Sequence, residues 1–245
     1  NPHNNASSLT RAFEICDHLM NINKGSEINY ATFISKGLQN PYNNGTSLAL
    51  ANSTLGTAAK KCPQKSDPII SHLGKSLEHP RNNEASLIQG FTCLAECSNQ
   101  GCFGDILGAY KKGMLNHNNT SRSMFHGLLN LKDMVEARPA LSSGVLTILE
   151  EAKKKGQDLF DNQMNQYMYY GIATDIINKN PELTPRVEKL TESPLKHRDG
   201  EYGTDDIGYS VQKYAKELRH KINEYKNQNN GNTMMSFSNN NQTVR

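Results

Sequence analysis

At 245 residues the chain is too long for one small core, yet only 36% of its residues are hydrophobic, below the roughly 45–50% apolar content, glycine included, of a compact globule that size. Its 27 basic residues face 24 acidic ones, and a net charge of +3 does not supply the basic stripe of a dedicated nucleic-acid binder. No run approaches the roughly 18 consecutive apolar residues that a membrane-spanning helix needs.

The chain opens on Asn1-Pro2-His3-Asn4-Asn5, followed by Ser8 and Leu9, and this segment recurs 39 residues on as Asn40-Pro41-Tyr42-Asn43-Asn44 with Ser47 and Leu48. A third copy, His79-Pro80-Arg81-Asn82-Asn83 with Ser86 and Leu87, comes after the same step. A looser fourth begins at Asn116, with Asn118-Asn119 aligned to Asn82-Asn83 and Ser123 to Ser86. Proline stops the preceding helix, because it lacks an N–H and biases its predecessor away from the helical region. Paired asparagines supply a side-chain oxygen for the free N–H groups at the next helix start. Each copy therefore reads as helix, tight turn, helix.

Longer helices are predicted after the turns, over Ser8–Met20, Ser47–Lys60, Ala85–Ser98, Ser121–Ala137 and Asn162–Asn178. Shorter amphipathic helices are predicted before them, over Tyr30–Leu38, Pro68–Leu77, Phe103–Leu115 and Gly144–Lys155; in the second, Ile69, Ile70, Leu73 and Leu77 form one stripe. Small residues at matching places, Ala12, Ala51, Gly90, Gly127 and Gly171, imply close approach between neighbouring longer helices. Pro181, Pro185 and Pro194 are expected to end the array, and His197–Thr204 reads as a loop. Asp205-Asp206 would then start a final helix to about Asn227, with Ile207, Val211, Tyr214, Leu218, Ile222 and Tyr225 on one face. The Asn-rich segment 228–245 reads as a disordered tail. Because the first turn has no helix ahead of it, the chain is expected to extend beyond Asn1.

These repeats of about 36–44 residues resemble the HEAT/armadillo-like helical repeat family. The resemblance covers residues 1–190 and implies a right-handed α-solenoid of about five tandem antiparallel helix pairs, with 191–227 as loop and capping helix. It lacks two HEAT features, a regular Asp in the intra-repeat turn and an Arg or Lys ladder in the second helix. The roughly 34-residue period of TPR repeats is also absent.

No chemical motif stands above this scaffold. Cys93, Cys97 and Cys102 with His72 and His79 loosely suggest zinc, but the thiols sit among core-like neighbours, so buried cysteines in a reducing, cytoplasmic compartment are the expectation. The sequons at Asn5, Asn44, Asn52, Asn118, Asn119 and Asn241 fit the Asn-rich composition, and Asn52 falls inside a predicted helix. Asp105, Glu150 and Glu151 read as a solvated face, and Lys111-Lys112 and Lys153–Lys155 as complements to helix C-termini. No catalytic, cofactor-binding or metal-binding residues are assigned.

The expected function is a non-enzymatic scaffold or adaptor that grips a protein with the ridge of longer helices. Its candidate binding residues are Arg11, Glu14, His18, Gln89, Thr92, Glu96, His126, Asn130, Asp133, Tyr169 and Tyr170, joined by Ser53 and Thr57. Their mixed charge suits a protein partner better than a phosphate backbone. A nucleic-acid-binding array using Lys60, Lys61, Lys111, Lys112 and Lys153–Lys155 is the alternative. The Asn/Lys-rich, Trp-free composition is also compatible with a host-directed effector of an intracellular bacterium.

Overall fold

The computed structural model describes residues 5–23, 25–102, 104–155, 163–197 and 206–240, and these are helical throughout apart from turns. In chain order the helices are α1 (Ala6–Ile22), α2 (Glu27–Leu38), α3 (Gly45–Lys61), α4 (Asp67–Glu78), α5 (Glu84–Asn99) and α6 (Ile106–Met114). They continue as α7 (Ser121–Ala137), α8 (Ser142–Lys154), α9 (Gln163–Lys179), α10 (Thr184–His197) and α11 (Asp206–Asn240). Each odd-numbered helix packs on the next odd-numbered one and each even-numbered helix on the next even-numbered one, giving two rows bridged by consecutive helices. One continuous apolar core runs between the rows from Leu9 to Ile222.

The recurring turn has a chemistry more specific than a helix stop. The last carbonyls of a helix have no intrahelical donor and need one when buried. At the end of α4 the Asn82 carboxamide nitrogen donates to the carbonyls of Ser76 (2.8 Å), Leu77 (3.1 Å) and His79 (3.0 Å). Asn43 does this for Gly37 and Asn40, and Asn119 for Gly113, Met114 and Asn116. The carboxamide oxygen of each accepts from a serine one turn into the next helix: Ser47, Ser86 or Ser123, at 2.8–3.0 Å. That serine also closes a capping box, its N–H bonded to the N-cap side chain and its Oγ accepting from the N-cap N–H. A single Asn–Ser pair thus locks the end of one helix to the start of the next.

This bonding corrects the register of the fourth copy. Asn119 stands where Asn82 stood and Thr120 takes the N-cap place of Asn83, so the pair Asn118-Asn119 is one residue out of step with Asn82-Asn83. The fixed spacing of three from N-cap to serine, ending at Ser123, is the signal that decides it. Successive turns also bond to each other. Asn116 donates to Leu77 O (2.8 Å), Asn118 to Pro80 O (2.7 Å) and Asn52 to Ser86 O (2.8 Å). Asn52, a sequon asparagine, is therefore a fully buried structural donor.

A second recurring turn escaped the sequence reading. Pro63, Pro139 and Pro181 each open a one-turn 3₁₀ segment after a non-helical residue, Cys62, Arg138 or Asn180, with φ of −134°, −139° and −140°. The hydroxyls of Ser66 and Thr184 donate back to the proline carbonyls, both at 2.6 Å. Basic residues near these turns cap the preceding odd helix. Lys61 donates to Met20 O (3.2 Å) at the end of α1, Arg138 to Ser98 O at the end of α5, and Lys179 to Val135 O and Glu136 O at the end of α7. These basic donors sit at helix ends, where each meets the negative pole of the helix dipole it caps.

Pro181, Pro185 and Pro194 do not exclude a helix in this stretch, since α10 contains the last two. Pro181 opens a 3₁₀ turn and Pro185 lies in the first turn of α10, where its missing N–H has no acceptor to forgo. α10 takes its place in the even row beside α8 and α9. The predicted loop 197–204 lies almost wholly outside the described residues. α11 continues past Asn227 to Asn240, through part of the segment read as a disordered tail, since no proline interrupts propagation from its docked portion. Small residues do allow close approach: a Cβ on Gly90 would lie 2.4 Å from Leu77 Cδ2, and one on Gly127 would lie 2.5 Å from Met114 Sδ.

Replacing Asn82 by Ala leaves several buried carbonyls and Ser86 without their partner, and is expected to lower stability by about 2–3 kcal/mol in urea denaturation. Asn40→Ala removes only one exposed contact, to Tyr42 N, and is expected to cost well under about 1 kcal/mol by the same measurement.

Candidate interaction face

Counting from the N-cap of each odd helix shows which side chains share a face. The sixth residue is Arg11, Leu50, Gln89 or His126; the ninth is Glu14, Ser53, Thr92 or Leu129; the thirteenth is His18, Thr57, Glu96 or Asp133. All twelve are exposed or half-exposed, whereas the fourth, eighth and eleventh residues of the same helices are buried. The 3.6-residue period places the three exposed positions on one stripe per helix, and side-by-side packing of α1, α3, α5 and α7 aligns the stripes into a continuous surface.

The candidate residues divide accordingly. Arg11, Glu14, His18, Gln89, Thr92, Glu96, His126 and Asp133 lie on this surface. Asn130 does not belong to the stripe. It is the tenth residue after its N-cap, the place that Cys93 holds in α5, where Cys93 packs against Gly56 of the preceding odd helix. Leu129 is the α7 residue that faces outward, which the search for polar positions passed over. Tyr169 and Tyr170 are also corrected, since both are fully buried. α9 is enclosed by α7, α10 and α11, so most of its circumference is core and aromatic bulk there fills space between layers. Of the Tyr-rich patch, Tyr167 is only half-buried, with its ring edge-on to Tyr214 of α11 at 5.0 Å between centroids.

Electrostatically the surface is mixed. Arg11 pairs with Glu14 at 3.1 Å and Lys60 reaches Glu96 at 2.5 Å. The His126 ring stands edge-on to Phe125, centroids 5.8 Å apart. Partial burial, aided by the nearby Glu136 carboxylate, holds the Asp133 carboxyl above its ordinary range. At the edge toward α9, Lys132 bridges Glu136 and Asp175, the latter at 3.2 Å.

The lysines of the nucleic-acid alternative are largely engaged within the fold. Lys60 holds Glu96, Lys61 caps α1, Lys111 pairs with Glu151 at 2.8 Å and Lys112 with Glu78 at 3.2 Å. Lys153 donates to Leu190 O at 2.6 Å, and Lys61, Lys154 and Lys155 are the exposed members of the set. The acids read as a solvated face are also in use: Glu150 holds Arg186 at 2.7 Å, and Asp105 caps α6 through Gly108 N at 2.7 Å.

Burial pushes the Cys93 thiol up to about 11 and the Cys97 thiol higher still, the latter helped by neighbouring Cys102. Both therefore stay protonated near neutrality and are poor nucleophiles or metal ligands. Cys102 Sγ lies 3.5 Å from Ala59 O, near the end of α3, where Lys61, Arg138 and Lys179 serve other helices. Among the described residues no three His, Cys, Asp or Glu side chains come together as a metal site. A cleft of about 670 Å³ lies beside the α1–α2 turn, lined by Asn21, Glu27, Ile28, Lys61, Cys62 and Lys65, and went unnoticed in the sequence. Its buried Glu27 carboxylate accepts the Gly25 N–H at 3.1 Å; backbone N–H bonds at the start of α2 hold its pKa low, so the group serves as a cap.

Comparison with protein-family models, curated proteins and solved structures finds no match for this chain.

A thiol held neutral by the fold contributes stability in full below its unfolded pKa, and that contribution is lost as pH rises from about 8.5 toward 11. Unfolding free energy is therefore expected to fall over that window, and Cys93→Ala should reduce the slope. At pH 8 a thiol-reactive aromatic disulfide is expected to label half-buried Cys62 in the folded chain, and Cys93 and Cys97 only after denaturant is added.

Proposed function

We propose that this protein is a non-enzymatic α-solenoid of the HEAT/armadillo-like type, right-handed, built from about five antiparallel helix pairs and closed by α11. It binds a protein along the stripe surface of its odd-numbered helices. The observation that carries this reading is the alignment of exposed positions six, nine and thirteen across four successive helices. Stacked repeats give such proteins an extended surface that a compact domain lacks.

The character of the stripe supports a protein partner. Arg11 sets one positive charge among the acidic Glu14, Glu96 and Asp133, while Leu50, Thr92, His126 and Leu129 supply apolar and adaptable polar contact. Interfaces of this composition gain from central desolvated groups inside a polar rim. A polyanion would meet the exposed carboxylates of Glu14, Glu96 and Asp133, and Lys60, Lys61, Lys111, Lys112 and Lys153, which would otherwise offset them, are engaged in ion pairs and backbone hydrogen bonds.

Two measurements test the proposal. A photo-crosslinking residue at Thr92 is expected to capture a discrete protein that one at Ser71, on the exposed side of α4, does not; Gln89→Ala/His126→Ala/Asp133→Ala should abolish that capture without lowering Tm. Equal capture from both positions would show the surface to be wrongly chosen. Fluorescence anisotropy with labelled single- and double-stranded nucleic acid is expected to show no binding at physiological salt, and affinity that weakens steeply with added salt would favour the alternative.

A further inference from the structure

Apart from Met164 on α9, the exposed large apolar side chains of the described residues lie toward one end of the molecule. Ile15 is 49% exposed, Leu19 36% and Ile22 62% on α1, with Phe33 54% on α2. Ala12, Ile15, Cys16, Leu19, Tyr30 and Phe33 line an open apolar groove of about 400 Å³ between the two helices.

The repeat shows what this groove corresponds to. Ile15 and Leu19 are the tenth and fourteenth residues after their N-cap. In α3 those positions are Thr54 and Ala58 and in α5 Cys93 and Cys97, all buried. There they face the preceding helix pair: a Cβ on Gly56 would lie 2.7 Å from Cys93 Sγ, and Cys97 Sγ approaches Gly56 O. Phe33 stands ten residues before the buried turn asparagine Asn43, as Ala109 stands before Asn119. Ala109 is buried against Gly74 of the preceding pair, where a Cβ would come within 3.3 Å. The groove is therefore the backward-facing side of a hairpin, the side that each later pair covers with its predecessor.

We propose that the α1–α2 end is a docking face for one more helical hairpin of the same construction, seated as each pair here seats on the pair before it. Covering Ile15, Leu19, Ile22 and Phe33 would remove from water a patch of the kind that marks interaction surfaces. The required partner is a hairpin whose forward face carries small residues, as Gly56 and Gly74 do, to receive these larger projections. A second copy of this chain does not meet the requirement. Its other end presents α11, where Lys213, Lys216, His220, Glu224 and Lys226 are exposed, and end-to-end contact of two α1–α2 faces would set projection against projection. This inference concerns the end of the array and is independent of the lateral stripe surface.

The test extends the chain by one repeat in register. Residues 40–78, or in a second version residues 79–115, are placed directly ahead of Asn1, so that the turn at Asn1–Asn5 joins the added hairpin to α1 as the later turns join theirs. Hydrogen exchange of the α1 and α2 amides is expected to slow by about tenfold or more relative to the unextended chain, and fluorescence of an apolar dye to fall. Ile15→Asp/Phe33→Asp in the extended chain should reverse both changes; these side chains are half-exposed in the unextended chain, which should fold with the same substitutions. Unchanged α1 and α2 protection in both extended versions would overturn the proposal. So would sedimentation of the unextended chain as a dimer that Ile15→Asp/Phe33→Asp dissociates, because the occupant would then be a second copy.

Discussion

A helix that ends inside a packed structure leaves carbonyl groups that water cannot reach, and in this chain one buried or half-buried carboxamide at each Asn turn meets that demand. Asn43, Asn82 and Asn119 bond the ends of α2, α4 and α6, and through Ser47, Ser86 and Ser123 they fix where α3, α5 and α7 begin. The consequence reaches well beyond the turn. Because α3, α5 and α7 each start at the same point relative to the helix before them, their buried and exposed faces emerge in the same phase. Leu48, Leu87 and Met124 fall at one position of the core for this reason, and Leu50, Gln89 and His126 at one position of the surface.

Interactions between repeats then hold the rows in line. Asn52, Asn116 and Asn118 donate to backbone carbonyls of neighbouring repeats, and Lys61, Arg138 and Lys179 cap helices one repeat away. Ion pairs such as Lys60–Glu96, Lys111–Glu151 and Arg186–Glu150 add links on the outside, where solvent screening makes each a small contribution. Hydrogen bonds to buried carbonyls weigh more, since their loss leaves a desolvated acceptor. The order of importance is apolar stacking, then buried carboxamides, then surface charge. The same ordering accounts for a chain with modest hydrophobic content and many asparagines: in two thin rows much of each helix surface stays wet, and turns need as much polar chemistry as the core needs apolar bulk.

The candidate interaction surface follows from this regularity rather than from any one residue. No cluster of titratable groups marks a reaction centre among the described residues, and the thiols that caught attention in the sequence are buried and held protonated. What the fold offers is area, with matched exposed positions on four adjacent helices and an uncovered apolar groove at one end. The two surfaces differ in chemistry. The lateral one mixes charge with adaptable polar groups, and the terminal one is the unpaired half of an interface that the molecule builds repeatedly within itself.

Much of this could be read from the residues alone, because turn chemistry and helical periodicity are local. The 39-residue step, the serine three places after each N-cap and the apolar stripes determined the helix pairs, with α7 expected over the residues it occupies. Eight of the eleven candidate surface residues lie where periodicity put them, since a helix shows the same face wherever it packs. Tertiary structure alone decided the rest. Whether Tyr169 and Tyr170 faced water depended on α11 and α10 lying over α9, contacts between segments whose sequences do not encode their proximity. Asn130 and Leu129 are neighbours in sequence, and only the rotation of α7 against α5 settled which one pointed outward. The basic caps of α1, α5 and α7 were likewise invisible, because each donor and its carbonyl are brought together by stacking across about forty residues of chain.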